Sequence, residues 1–172
     1  MPEYMIILRI LHIVCGVLWA GGIFMLAWFI IPAVNASGPE GGKVMRQIGA
    51  TNHFSSVLAL AATLNIVTGL LLYWRDSNGL SADYLSSQQG ISFSTGMITA
   101  IIAYLMGLTI NRPGTERMVR IGNEIAAAGG KPTEGQMAEL GRIRTRLFSS
   151  TRYMAILLLI TVATMAIARY LY

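Results

Sequence analysis

The sequence predicts an all-α fold: a polytopic membrane protein forming a four-transmembrane-helix bundle, with a cytoplasmic helical hairpin between spans 3 and 4. Three observations carry this. Only 12% of the 172 residues are charged and 54% are hydrophobic, whereas soluble domains average about 25% charged; the mean hydropathy is +0.57. Four stretches are nearly free of charge, and a bilayer core takes about 20 apolar residues per helix. Basic residues crowd into the connections on one side of these stretches, the pattern that marks cytoplasmic loops.

The first stretch, Tyr4 to Val34, carries Arg9 as its only formal charge. It is too long for the apolar core of a signal peptide and has neither a basic leader nor a small-residue cleavage site, so it is expected to be retained. The second, Gln47 to Trp74, and the third, Gly90 to Asn111, are uncharged. The fourth, Tyr153 to Ala168, lies between Arg152 and Arg169, whose long side chains can snorkel to the interface. The expected spans are about 4–34, 44–74, 91–111 and 147–171, in a single integral membrane domain covering 1–172.

With four spans both termini share one side. The other side receives Lys43, Arg46, Arg112, Arg117, Arg120, Lys131, Arg142, Arg144, Arg146 and Arg152, leaving Arg9, Arg75 and Arg169 for the first. The termini are therefore expected outside the cytoplasm. Tyr4, Tyr73, Trp74, Tyr153 and Tyr170 near span ends fit an interfacial aromatic belt. The net charge of +5 is accounted for by these loops and gives no support to nucleic-acid binding.

"RDSNGLSADYLSSQQG" is rich in turn formers and reads as a surface connection. In the longer connection, "TERMVRIGNEIAAAGG" offers Thr115 as an N-cap and a Gly-Gly stop, so a helix is expected over about 115–128. "KPTEGQ" then sets Thr133 and Gln136 in a capping-box pattern. One long final helix is expected from about Glu134 to the C-terminus. Its arginines suit a headgroup zone, where each basic residue contributes roughly 1 kcal/mol next to anionic lipid; a docking surface for a larger complex is the other reading.

Chemistry is sparse. The single cysteine, Cys15, excludes an intrachain disulfide and any multi-cysteine metal site. The spans hold no pair of carboxylates for acid–base work, and no phosphate-binding glycine loop follows a strand. What stands out is span 1, where His12, Gly16, Trp19 and Ile23 align at helical spacing, with Arg9 one turn earlier. A polar group in hydrocarbon faces the bundle interior or a partner. Gly16 would let a flat macrocycle or another backbone approach the imidazole, which is a common ligand to haem iron and copper. The alternative is that the small residues pack helices together, with His12 hydrogen-bonded across an interface.

His53, the other histidine, falls near the opposite end of span 2, so its depth should differ from that of His12 by roughly 15 to 20 Å. Arg46, Ser55, Ser56, Asn52, Asn111 and Arg112 are its expected neighbours, a polar group suited to a propionate or small anion. Centring the spans near Leu18, Leu60, Ile102 and Ile160 puts Asn65, Met97 and Met165 near the depth of His12. Methionine ligates haem iron and Cu(I) and also fills cores; Asn65 is expected to bond between helices. The candidate metal ligands are therefore His12, His53, Met97 and Met165. Gly16, Trp19, Arg9 and Arg46 complete the candidate cofactor site.

"LHIVCGVLWAGGIFMLAWFIIPA" resembles the first helix of bacterial copper-resistance D proteins and HemJ-type membrane protoporphyrinogen oxidases, where a Leu-His pair precedes a Trp and a small-residue pair. "LNIVTGLLLYW" is similar to their second helix. "AELGRIRTRLF" resembles the Arg-rich segment of a four-helix family allied with copper-resistance D. The resemblance implies a bacterial inner membrane and a haem b ligated by His12, or else copper handling with His and Met ligands. The third span has no lysine, the residue that HemJ-type enzymes carry there, which counts against porphyrinogen oxidation, while a haem near the outer face leaves oxidation of a quinol or a porphyrinogen open. Three classes stay open: a haem b protein in electron transfer or as an accessory subunit of a redox complex, a copper-handling or transport protein, and a cofactor-free structural subunit. Expected partners are the lipid bilayer and either other membrane subunits or a second copy of the chain.

Overall fold

The computed structural model describes residues 3–48 and 53–171, and only the backbone of Pro39, Glu40 and Arg46. All of its regular elements are helical. α1 (Glu3–Met25) runs without a break into a π-helical turn, Leu26–Ile30, and α2 (Ile31–Ala36). After Ser37 and Gly38, whose φ is +58°, α3 (Gly38–Arg46) follows. α4 (Phe54–Asp76) leads through short α5 (Ala82–Ser86) to α6 (Gln88–Met106). A second π-helical turn, Gly107–Asn111, joins α6 to α7 (Arg112–Ala127), and α8 (Glu134–Ala168) ends the chain. Four of these helical runs are long and apolar enough to cross a membrane.

These two π-turns have a visible cause. Pro32 and Pro113 lack the amide proton that would bond four residues back, and their rings press on the carbonyls of Trp28 and Thr109. Each of those residues lies inside a π-turn. The helix widens by a residue to relieve the clash instead of ending. This is why α6 continues into α7 and Thr115 caps nothing, contrary to the expected helix start there.

The second span also starts later than the expected residue 44, because α3 reaches Arg46 and His53 sits at φ +52°, left-handed backbone that no α-helix can pass through. The surface connection after α4 contains α5, with Ser81 and Ser87 capping α5 and α6 through their hydroxyls. The final helix begins as expected. Thr133 Oγ1 accepts from Gln136 N at 3.2 Å and Gln136 Oε1 accepts from Thr133 N at 3.0 Å. Gly129 and Gly130, at φ +89° and +81°, close α7 by donating to Ala126 and Ile125 carbonyls.

α1 packs chiefly on α4, and α6 on α8. The core joining the two pairs contains Cys15, Trp19, Leu58, Ala62, Ala103, Met154 and Leu158. Small residues set the helix spacing, as they do where lipid removes the hydrophobic drive for association. A Cβ on Gly22 would lie 2.6 Å from Leu58, and one on Gly96 would lie 2.8 Å from Thr164 Oγ1. Hydroxyls stitch the second pair: Thr99 to Thr161 at 2.8 Å and Ser92 to the Thr164 carbonyl at 2.8 Å. The exterior is apolar, with Val17 67% and Leu60 62% exposed, as suits a surface solvated by acyl chains.

The run from Gln88 to Ala127, 40 residues, would be about 60 Å long if straight, twice a hydrocarbon core. Its surplus, α7, pairs with the first turns of α8 as a helical hairpin. Arg117 donates to Glu139 twice, at 2.7 and 3.0 Å. That hydrogen bond holds the Glu139 carboxyl below the usual carboxylate range and pushes Arg117 up. A carboxylate depressed on folding contributes above its unfolded pKa, about 4.3, and loses that contribution as pH falls through the depressed value. After correction for the intrinsic slowing of amide exchange in acid, protection factors at residues 115–145 should therefore fall on acidification below about pH 4 in the native protein, and Glu139→Gln should show the lower protection already at neutral pH.

Candidate functional site

The end of the bundle that carries both termini holds a cavity of about 380 Å³ bounded by α1, α4, α6 and α8. That size falls among small-molecule and cofactor pockets. Its walls include Ile66, Leu70, Phe93, Met97 and Met165, and His12 projects from α1 among them.

The imidazole is held by α4. His12 Nδ1 lies 3.0 Å from the Asn65 carbonyl and 3.3 Å from Thr68 Oγ1. The carbonyl can only accept. The Thr68 hydroxyl proton is committed to the Leu64 carbonyl at 2.6 Å, and the Asn65 side-chain amide donates to the His12 carbonyl at 2.7 Å. The Asn65 amide nitrogen also lies 3.2 Å from Nδ1, but the backbone carbonyl is nearer and can only accept, so the proton is assigned to Nδ1, which leaves Nε2 as a bare lone pair. Among the described residues no buried side-chain nitrogen or oxygen lacks a partner, and no hydrogen bond reaches Nε2. It stays accessible, on a residue that lines the cavity. Metal-ligating histidines share this arrangement, Nδ1–H anchored to a carbonyl with Nε2 free.

Two glycines make the anchoring close. A Cβ on Gly69 would lie 2.8 Å from His12 Cε1, and one on Gly16 would lie 2.9 Å from Asn65 Nδ2. The bare backbone at Gly16 thus serves the neighbouring helix, and the space beside it is taken by the Asn65 amide rather than left for a macrocycle. Trp19 is 3% exposed and meets Tyr104 edge-on with ring centroids 6.3 Å apart; it lies in the core and does not line the cavity.

Arg9 stands at the mouth, 3.6 Å from Asp76 at the end of α4. Arg169, Tyr84 and Gln89 line the same rim. His12, Met97, Met165 and Arg9 are therefore brought to one cavity, and Asn65 bonds across helices.

His53 is elsewhere. It heads α4, exposed, 12 residues before Asn65, or about 18 Å along the helix, so the two histidines do not share a site. Of its expected neighbours, Asn111 is engaged with α8, donating to Thr151 at 3.0 Å and accepting from Ser150 at 2.6 Å. Arg112 pairs with Glu116 at 2.9 Å. Asn52 and the Arg46 side chain fall outside the described residues. Among the described residues no group of three or more His, Cys, Asp or Glu could hold a metal, so a metal in the cavity would rest on His12 and sulfur.

Thr68, Gly69, Asp76 and Arg169 escaped the sequence reading. Asn65, Thr68 and Gly69 sit at i, i+3 and i+4 in an otherwise apolar span, a polar and small stripe on one face that could have flagged α4 as the partner of His12.

Comparison with protein-family models, with curated proteins and with solved structures finds no match.

Proposed function

We propose that the chain is an integral membrane haem b protein, serving electron transfer or acting as an accessory subunit of a membrane redox complex, with His12 as an axial ligand. The observation that carries this reading is the imidazole fixed through Nδ1 to α4, its Nε2 free, on the wall of a cavity that Met97 and Met165 also line. Haem bound there would supply one-electron chemistry at its iron. The protein's own share is positional. Asn65 and Thr68 would hold the ring in place, Met97 and Met165 would offer sulfur to the iron, and the apolar walls would surround the macrocycle.

Copper handling is the second reading, favoured by the same nitrogen and two sulfurs, a soft donor set suited to Cu(I). Against it stands the rim, where Arg9 and Arg169 outnumber Asp76; net positive charge repels a free cation and suits a ligand that carries carboxylates. The reading also places the chain in a bacterial cytoplasmic membrane with both termini outside. There it would contact lipid and either companion subunits or a second copy.

The test is a visible spectrum of detergent-purified protein, reconstituted with haem b, oxidised and then reduced. A Soret band that is lost in His12→Ala and kept in His53→Ala is expected. Retention of the band in His12→Ala would refute the assignment, and a stoichiometric copper content without porphyrin would favour the second reading.

A further inference from the structure

The rim of the cavity is built differently from its walls. Arg9 lies one helical turn before His12 on α1, and Arg169 caps α8 across the opening. Between them the rim supplies one carboxylate, Asp76. Two guanidiniums against one carboxylate leave an unmatched positive charge at the entrance of an otherwise apolar chamber.

The pairing that exists there is loose. Arg9 Nη2 and Asp76 Oδ2 are 3.6 Å apart, and both side chains are about two-fifths exposed, at 44% and 38%. An exposed pair at that distance is held weakly and can be exchanged for a better-placed anion. Arg169 is held over the Tyr170 ring at 5.0 Å and donates to the Tyr170 hydroxyl at 2.9 Å. Those contacts use one nitrogen of its fork and leave other donors free. Guanidinium binds carboxylate in a two-point geometry that neither Lys nor a neutral donor reproduces.

We infer that Arg9 and Arg169 form a carboxylate clamp for the propionates of the haem, with Asp76 occupying the place of one propionate until the cavity is filled. This rests on the haem reading of His12. It adds the orientation of the macrocycle: acidic edge at the rim with the termini, apolar edge toward Phe93 and Ala100, and entry from that end. It also assigns Asp76 a competing role, since its carboxylate must release Arg9 for the clamp to close.

The test titrates the full chain in detergent with haem b and with haem b dimethyl ester, following the Soret band, in wild type, Arg9→Gln, Arg169→Gln, Asp76→Asn and His12→Ala. Each arginine variant should weaken haem binding by about tenfold, the worth of one charged hydrogen bond. Asp76→Asn should tighten it several-fold. The ester, which has no charge to clamp, should bind wild type and all three rim variants alike. A His12-dependent band with equal response of haem and ester to the rim variants would overturn the clamp and leave the haem reading standing. No His12-dependent band with either porphyrin would overturn both. Because wild type alone already separates acid from ester, a rim variant that folds poorly does not decide the outcome.

Discussion

Replacing Gly69 with alanine should destabilise the protein, although the same change at Gly21 should not. Both positions lie inside helices, where alanine is favoured over glycine by up to about 1 kcal/mol. At Gly21 nothing lies within 4 Å of the added carbon; at Gly69 it would sit 2.8 Å from His12 Cε1 and 3.3 Å from Nδ1. The ring cannot retreat easily, because its Nδ1 is bonded to the carbonyl of Asn65, on the same face of α4. Either α1 and α4 separate or the imidazole turns away. Overpacking of this kind costs about 1–3 kcal/mol, outweighing the gain in helix propensity. Thermal unfolding in detergent should show a lower midpoint for Gly69→Ala than for wild type, and an equal or higher one for Gly21→Ala. If both variants shift together, the close approach of α4 to His12 is not a structural determinant.

Asn65→Leu should cost about 1–2 kcal/mol of stability, the range of one to a few cross-helix hydrogen bonds in a membrane. Asn65 is 7% exposed and its amide donates to the His12 carbonyl at 2.7 Å. Leucine is also branched where the amide is flat, and it offers the His12 carbonyl no donor. The backbone carbonyl and Thr68 Oγ1 beside Nδ1 both remain, so the imidazole keeps its anchors and only the His12 carbonyl loses its donor. In the haem titration the variant should therefore keep its Soret band, whereas His12→Ala should lose it. Loss of the band in Asn65→Leu would show that the amide, and not the two oxygens beside Nδ1, holds the ring.

The four spans were legible because bilayer solvation leaves a simple trace, long stretches without charge. The start of α8 was equally readable, since Thr133 and Gln136 form a local device complete within four residues. Depth could be read too: placing Asn65, Met97 and Met165 level with His12 needs only helix rise and span centres. The rotation of each helix about its axis could not be read, because apolar residues surround every span and no amphipathic stripe sets the inward face. Hence the occupant of the Gly16 notch and the burial of Trp19 in the core came only with the structure. The rim followed the same rule, since Arg9 and Asp76 are 67 positions apart and meet only through the pairing of α1 with α4. The π-turns are a different case. Pro32 and Pro113 stood in plain view, and the steric reason for a widened turn ahead of each is general.

Those two widened turns carry a consequence for how the helices face one another along their length. A helix that accommodates one surplus residue is rotated beyond that point by roughly 100° relative to an unbroken one. The buried seam of Cys15, Trp19 and Ile23 carries on through Ala27, and beyond it the residues face in a shifted direction. The phase advance brings Trp28 beneath the Arg152 guanidinium of α8, 5.6 Å from its ring centroid. Excising a single residue from Leu26–Ile30 would rewind the strand of contacts below it and swing the indole off that arginine, while the chamber around His12, lying above the dislocation, would keep its shape.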